Sequence, residues 1–265
     1  MPQPITLCFY RELNDFLAQD KRGREFSVDF SKARSVKDLI ESIGIPHPEI
    51  DLIIINRDSS ETQSVDFSYQ VLAGDHISVY PGLHSKPEDL SIENLPIAAE
   101  RLHHNQHQPL AEIKFVLDVH LGKLAAYLRL LGFDALYYND CDDLELAELS
   151  ASEQRLLLTC DLLLLMRKQV SYGYCVRNRQ PKQQLLEILS HFDLTSKTRP
   201  FTRCMHCNGI TKPVDKQLIE SQLLVKTKKY YDEFFQCKSC KKIYWKGSHY
   251  QKLKKMIDNL DMIAE

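Results

Sequence analysis

The residues with the clearest chemistry are four cysteines in two pairs, Cys204-x-x-Cys207 and Cys237-x-x-Cys240, separated by 29 residues. Each pair spans one tight turn, so both of its sulfurs can reach one ion about 2.3 Å away. Two such pairs supply the four thiolates of the tetrahedral set that zinc prefers. Four buried free thiols would leave the paired spacing unexplained. His206 and His249 are possible substitutes as ligands, but four cysteines already close the shell. The spacing predicts a structural Zn2+ in a zinc ribbon over residues 197–255, with a strand at KKIYW and a helix near 213–224 inside the spacer. Cys8, Cys141, Cys160 and Cys175 lie singly in or beside apolar strands and read as core or bystander residues.

A second constellation is acidic. Asp118 ends the apolar run KFVLD, Asp142 and Asp143 follow DALYY, and Asp161 follows RLLLT. In an open parallel sheet the carboxyl ends of the strands share one edge, and ligands bind there. Carboxylates gathered at that edge repel one another unless a cation compensates, and an oxygen-only set suits Mg2+ or Mn2+. Such ions activate water and stabilise the leaving oxygen of a phosphodiester. A single Asp in such a place is ordinarily a helix N-cap. Three at equivalent strand ends favour a site.

These residues need elements to position them. From Lys114 onward, strand-like runs at 114–118, 134–138, 155–159 and 172–177 alternate with helical runs at 120–133, 144–153, 161–169 and 181–193. That alternation predicts a parallel sheet with helices on both faces. Leu121, Leu124, Leu128 and Leu131 form one apolar helix face that stops at Gly132. Upstream, strand candidates at 5–10, 26–30, 51–56, 64–67 and 76–81 surround a helix at 35–45, with Ser35 as N-cap and Gly44 as its end. The resulting β-β-α-β-β-β order is that of a β-grasp fold, a mixed sheet folded over one helix. Residues 83–110 lack periodicity and read as a linker, in which His103, His104 and His107 are better explained as solvated than as metal ligands.

Charge is uneven along a chain whose net charge is only −2. Residues 1–110 carry 10 Lys+Arg against 17 Asp+Glu, whereas residues 197–255 carry 15 against 4. The basic back suits a polyanion such as nucleic acid. Lys226, Lys228, Lys229, Lys241, Lys242 and Lys246 are its candidate phosphate contacts, and Tyr244 and Trp245 could stack on bases or serve as core. No apolar run approaches the roughly 18 residues of a membrane span. The first residues, MPQPITLCFYRELNDF, lack the pattern of a signal peptide, so a cytoplasmic location is expected, where thiols stay reduced.

The segments FVLDVHLGKLAAYLRLLGFDALYYND, DDLELAELSASEQRLLLTCD and FTRCMHCNG…FFQCKSCKKIYWKGSHY resemble the Mut-seven C-terminal RNase domain family from about residue 113 to 255. The resemblance implies a PIN-like nuclease fold with an appended zinc ribbon. It places the catalytic acids on Asp118, Asp142 and Asp161, with Asp143 or Glu145 beside them. Residues 1–82 resemble the ubiquitin-like β-grasp domain that often precedes this RNase domain. They are also similar to sulfur-carrier proteins, but the run VYPGLHS lacks the Gly-Gly ending that thiocarboxylate chemistry needs. Two departures stand out. The family usually has Arg between the Thr and Asp of LLT-x-D, where this chain has Cys160, and Arg-Trp after LGKLA, where it has Ala126-Tyr127. Lys123 and Arg129 remain on that helix as cations for phosphate.

The expected α/β architecture is therefore a ubiquitin-like β-grasp domain (1–82), a linker (83–110), a PIN-like parallel-sheet nuclease domain (111–196), a zinc ribbon (197–255) and a tail (256–265). The expected function is a Mg2+- or Mn2+-dependent ribonuclease whose ribbon holds RNA. The alternative is a non-catalytic RNA-binding or adaptor protein, with the β-grasp domain recruiting a protein partner.

Overall fold

A computed structural model describes residues 3–30, 32–57, 61–82, 105, 110 and 112–261. Most of the expected linker, including His103, His104 and His107, lies outside the described residues. In chain order the elements begin with β1 (Ile5–Phe9), β2 (Phe26–Val28), α1 (Val36–Ile43), β3 (Ile50–Arg57), β4 (Glu61–Val65) and β5 (His76–Pro81). There follow β6 (Phe115–Leu117), α2 (Gly122–Leu130), β7 (Ala135–Tyr137), α3 (Asp143–Ser152), β8 (Leu156–Thr159), α4 (Leu162–Leu165), β9 (Gly173–Cys175) and α5 (Pro181–His191). The C-terminal part holds β10 (Thr211–Val214), α6 (Lys216–Ile219), α7 (Val225–Tyr230), β11 (Phe234–Cys237), β12 (Ile243–Trp245) and α8 (Ser248–Asp261). The chain divides into two compact units, one of residues 1–112 and 141–175, the other of 113–140 and 176–265. Among the described residues no helix is long and apolar enough to cross a membrane.

In the first unit, five strands stand in the order β2-β1-β5-β3-β4. β1 and β5 are parallel and the other pairs antiparallel, which is the mixed β-grasp sheet. The Ser35 hydroxyl accepts the Asp38 N–H at 3.0 Å to open α1, and Gly44 closes it at φ 105°, a left-handed turn that glycine enters without a Cβ clash. Val36, Leu39 and Ile40 of α1 pack on Leu7, Ile53 and Val79 of the sheet. β3 is buried on both faces: Ile53 and Ile55 join this core, while Leu52 and Ile54 are buried outside it. The fully buried carboxylate of Asp75 accepts four hydrogen bonds: from Arg57 Nε at 3.0 Å, from Arg57 Nη2 and the Leu72 N–H at 2.8 Å, and from the Tyr69 hydroxyl at 3.1 Å.

The same unit contains β8 and β9, which pair in parallel. The link between them and the β-grasp sheet is a 3-10 turn at His47–Glu49, which Pro46 and Pro48 shape by stopping α1 from continuing. His47 Nδ1 lies 2.7 Å from Glu41 Oε1, and its Nε2 lies 2.8 Å from the Val170 carbonyl. Glu49 accepts the Cys175 N–H of β9 at 2.6 Å. α4 is a single turn, shorter than the 161–169 run suggests, because the chain turns back through Val170 to begin β9. Replacing His47 by Ala is expected to lower stability by about 1–3 kcal/mol, since a buried carbonyl loses a donor. Thermal melting of the full chain measures this, and an unchanged melting temperature would show that the turn does not fasten β9.

In the second unit β6 and β7 are parallel, with α2 between them in the chain. Leu121, Leu124, Leu128 and Leu131 are buried, as their spacing requires. Gly132 sits at φ 93°, where an added Cβ would lie 2.3 Å from the Arg199 carbonyl. β10, β11 and β12 form an antiparallel sheet in that order. The helix expected near 213–224 is only partly present: β10 occupies Thr211–Val214, and short turns of helix follow. Pro213 is tolerated there because β10 is an edge strand. α8 runs on to Asp261.

Candidate metal centre and acidic strand ends

The two cysteine knuckles repeat one backbone design. Cys204 N–H donates to the Gly209 carbonyl at 2.7 Å, and Cys237 N–H donates to that of Lys242 at 2.9 Å. Asn208 N–H returns to Cys204 O at 2.9 Å, and Lys241 N–H returns to Cys237 O at 3.1 Å. Asn208 and Lys241 hold matching left-handed conformations, φ 68° and 62°. These turns aim all four sulfurs at one point, within 4.8 Å of one another. The Cys204–Cys240 and Cys207–Cys237 sulfurs are 3.6 and 3.4 Å apart. An ion about 2.3 Å from four tetrahedral sulfurs would set them about 3.8 Å apart, so the cluster can hold a metal ion such as zinc with little adjustment. Gly209 is required by this approach, since a Cβ there would meet Cys237 Sγ at 2.9 Å.

The thiols are unequal. Burial pushes the Cys204 thiol up, but the Tyr244 hydroxyl at 3.0 Å and the backbone N–H groups of Cys207 and His206 outweigh it and bring it down to about 7. Burial, with the neighbouring sulfurs adding to it, pushes Cys240 up to about 12. Metal binding requires thiolates, so uptake releases protons and weakens as pH falls.

The first knuckle is fastened to the end of α2 and the start of β7. Arg129, 5% exposed, donates Nε to Ala135 O at 2.7 Å and Nη1 to His206 O at 2.9 Å and Met205 O at 3.3 Å. Asn208 bridges the Ala135 N–H and the Asp134 carboxylate at 3.1 and 2.8 Å. Arg203 reaches the Gly132 carbonyl and the Asp134 carboxylate, both at 3.2 Å. The expectation that Arg129 contacts RNA is therefore corrected. Its guanidinium is turned inward and spent on backbone carbonyls, and burial lowers its pKa while the nearby Cys207 and Cys204 act in the opposite sense. Arg129→Leu is expected to destabilise the second unit by about 3 kcal/mol, because it strands buried carbonyls. A melting shift accompanied by partial loss of metal is the expected readout. Unchanged melting would contradict the role.

The acidic residues stand at strand ends, each described within its own unit. In the second unit Asp118 directly follows β6 and is 6% exposed, and its side chain does not cap the turn that follows. In the first unit Asp142 caps α3: its Oδ1 accepts the Glu145 N–H at 2.8 Å while Glu145 Oε2 accepts the Asp142 N–H at 3.2 Å. This capping box also engages Glu145. Asp143 begins α3, 3.8 Å from the Arg167 guanidinium. Asp161 caps α4 by accepting the Leu163 N–H at 2.8 Å, and its own N–H is held by Thr159 Oγ1 at 2.9 Å. The capping that any lone Asp would perform is therefore present at Asp142 and Asp161. Each cap uses one carboxylate oxygen of two.

Among the cations, Lys123 is exposed on α2. Lys228 pairs with Glu220 at 2.7 Å, and Lys246 pairs with Glu233, whose carboxylate raises the lysine pKa. Lys241 donates to the Lys238 carbonyl at 2.9 Å, and Lys229 lies 5.4 Å from the Tyr230 ring centroid. Lys226 and Lys242 are exposed and make no ion pair among the described residues. Exposed ion pairs contribute little, so the paired lysines can exchange a carboxylate for a phosphate. The aromatic pair divides: Tyr244 reaches Cys204 Sγ, whereas Trp245 is 36% exposed.

A family model described as Mut7-C RNAse domain matches residues 113–257, and one described as Mut7-C ubiquitin matches residues 2–86. No curated protein and no solved structure matches the chain.

Proposed function

The chain belongs to the Mut7-C RNase domain family, whose model covers more than half of its residues, and from that premise we propose that it is a metal-dependent ribonuclease. The observation that carries the reading is the placement of Asp118, Asp142, Asp143 and Asp161 just beyond parallel-paired strands inside the matched stretch. Their oxygen-only chemistry fits Mg2+ or Mn2+, and such an ion, when bound, supplies charge neutralisation and an activated water. Asp118, Asp142 and Asp161 are the proposed ligands, and Asp143 is the proposed further acid that would orient water or a further ion.

The four-cysteine cluster holds Zn2+ in a structural role, since four thiolates leave no open position for chemistry. Lys123, Lys228, Lys229, Lys241, Lys242 and Lys246 attract the RNA backbone. The division into a β-grasp domain (1–82), a PIN-like domain (111–196) and a ribbon (197–255) assigns partner binding, chemistry and RNA capture respectively. The β-grasp sheet would meet a protein partner at its edge strands, β2 and β4.

One observation favours a second reading, in which the PIN-like region is a silent scaffold: Asp142 and Asp161 already cap helices. Incubating the full-length protein with RNA, with and without Mn2+, separates the two. A nuclease cuts only with the ion, whereas a scaffold binds RNA and leaves it intact in both cases.

A further inference from the structure

We propose that a groove beside the zinc ribbon is a binding site for single-stranded RNA that stacks unpaired bases on exposed aromatic rings. The proposal rests on the reading that RNA is the substrate and adds to it a strand preference and a surface. The groove lies within the second unit, between the ribbon strands, α7 and α8, and has a volume of about 1080 Å³.

Two independent features of its lining point to a nucleic acid. The first is charge. Arg203, Lys226, Lys242 and Lys246 line it, with His206 and His249, and no Asp or Glu does. The carboxylates that pair with Lys246 and Arg203, Glu233 and Asp134, are not among the lining residues. Such a wall attracts a polyanion and tracks its backbone.

The second feature is aromatic. Tyr230 is 66% exposed and Trp245 is 36% exposed, although rings of that size are ordinarily buried for the apolar area they carry. Tyr231 and Trp245 stand with centroids 6.4 Å apart and planes inclined by 49°, so they are splayed rather than stacked on each other. Exposed rings interleaved with lysines are the composition of a surface that binds single strands through base stacking. A duplex hides its base faces within its own stack, so it can use the lysines but not the rings. An acidic peptide could likewise satisfy the lysines but would leave the rings without flat partners.

Trp245 is the only tryptophan of the chain, so its emission reports this groove and nothing else. The zinc-loaded full-length protein, with no Mg2+ or Mn2+ added, is titrated with a single-stranded RNA of about twelve nucleotides, with a duplex of the same length, and with a polyglutamate peptide. Saturable quenching by the single strand is expected, at least about tenfold tighter than any response to the duplex. Tyr230→Ala should weaken single-strand binding about tenfold, as should Lys226→Glu combined with Lys242→Glu. Trp245→Phe, followed by anisotropy of labelled RNA, should keep most of the affinity that Trp245→Ala loses. Zinc content and melting are measured for every variant, and the exposed Tyr230 decides the matter if Trp245→Ala fails to fold.

Equal affinity for single strand and duplex, wild-type binding by Tyr230→Ala, or a response to polyglutamate alone would each overturn the proposal. The two readings fail separately. Single-strand quenching without Mn2+-dependent cleavage would leave the groove standing and remove the ribonuclease. Cleavage with an unresponsive Trp245 would do the reverse.

Discussion

Replacing Cys237 by Ser is expected to release the metal and unfold the ribbon. A three-stranded sheet with so few buried side chains has little core of its own: Phe234, Ile219 and the buried cysteines are most of it. Coordination then supplies much of its folding free energy, which for structural zinc is on the order of 10 kcal/mol. The effect should not stop at the ribbon. Arg129, Arg203 and Asn208 make hydrogen bonds to or from the first knuckle, so its loss also strips partners from the α2–β7 corner. The β-grasp core, in the other unit, should persist. Metal analysis and limited proteolysis read this out: about one zinc per folded wild-type chain, and in the variant a protease-sensitive C-terminal third with a resistant N-terminal fragment. A protein with less than about half a zinc per chain and a resistant C-terminus would show that metal does not hold the ribbon.

Asp161→Asn is expected to abolish metal-dependent cleavage while leaving the fold intact, because the two roles of this residue respond differently to an amide. Asn caps a helix about as well as Asp, so the bond to Leu163 survives and stability changes little. The negative charge that would offset a divalent ion is gone. Loss of a residue that merely orients a metal ligand commonly costs 10- to 100-fold in metal affinity or activity, so loss of a ligand should cost at least about 100-fold. Asp161→Ala removes the cap as well and should lose about 0.5–2 kcal/mol of stability besides. Were Asp161 only a cap, the pattern would invert: Asn would be silent in both assays, and Ala would lower stability while leaving turnover per folded molecule unchanged. The Asp118 side chain does not cap the turn that follows it, so Asp118→Asn takes helix capping out of the comparison.

What the sequence made legible was whatever depends on neighbours along the chain. Ser35 and Gly44 bounded α1 because an N-cap and a left-handed C-cap are local conditions. The run DLIIIN could be read as a strand buried on both faces because it lacks polar alternation, and Leu52, Ile53, Ile54 and Ile55 are all buried. Paired cysteine spacing gave the metal cluster because each knuckle closes within six residues, Cys204 to Gly209 and Cys237 to Lys242.

Long-range partners were not legible. Arg129 looked like an exposed cation on an amphipathic helix, and only the return of the chain at Met205 and His206 turns it into a buried tie. Nothing along the chain marks Glu49 or His47, yet they bond to Cys175 and Val170, more than 120 positions away. The aromatic groove was half visible. Tyr244 and Trp245 stand out beside lysines, and Lys228 and Lys229 read as phosphate contacts, but only the fold brings the rings that follow them, Tyr230 and Tyr231, to the same groove.

The central claim is that these aspartates hold a catalytic ion. Its most direct test is single-turnover RNA cleavage by the full-length protein in metal-free buffer, titrated with Mn2+, beside Asp118→Asn and Asp161→Asn at matched folded concentration. The account predicts no cleavage without Mn2+, saturable cleavage in the wild type, and a loss of at least about 100-fold in each variant with RNA binding retained. Near-normal cleavage in both variants, or wild-type cleavage indifferent to Mn2+, would contradict it.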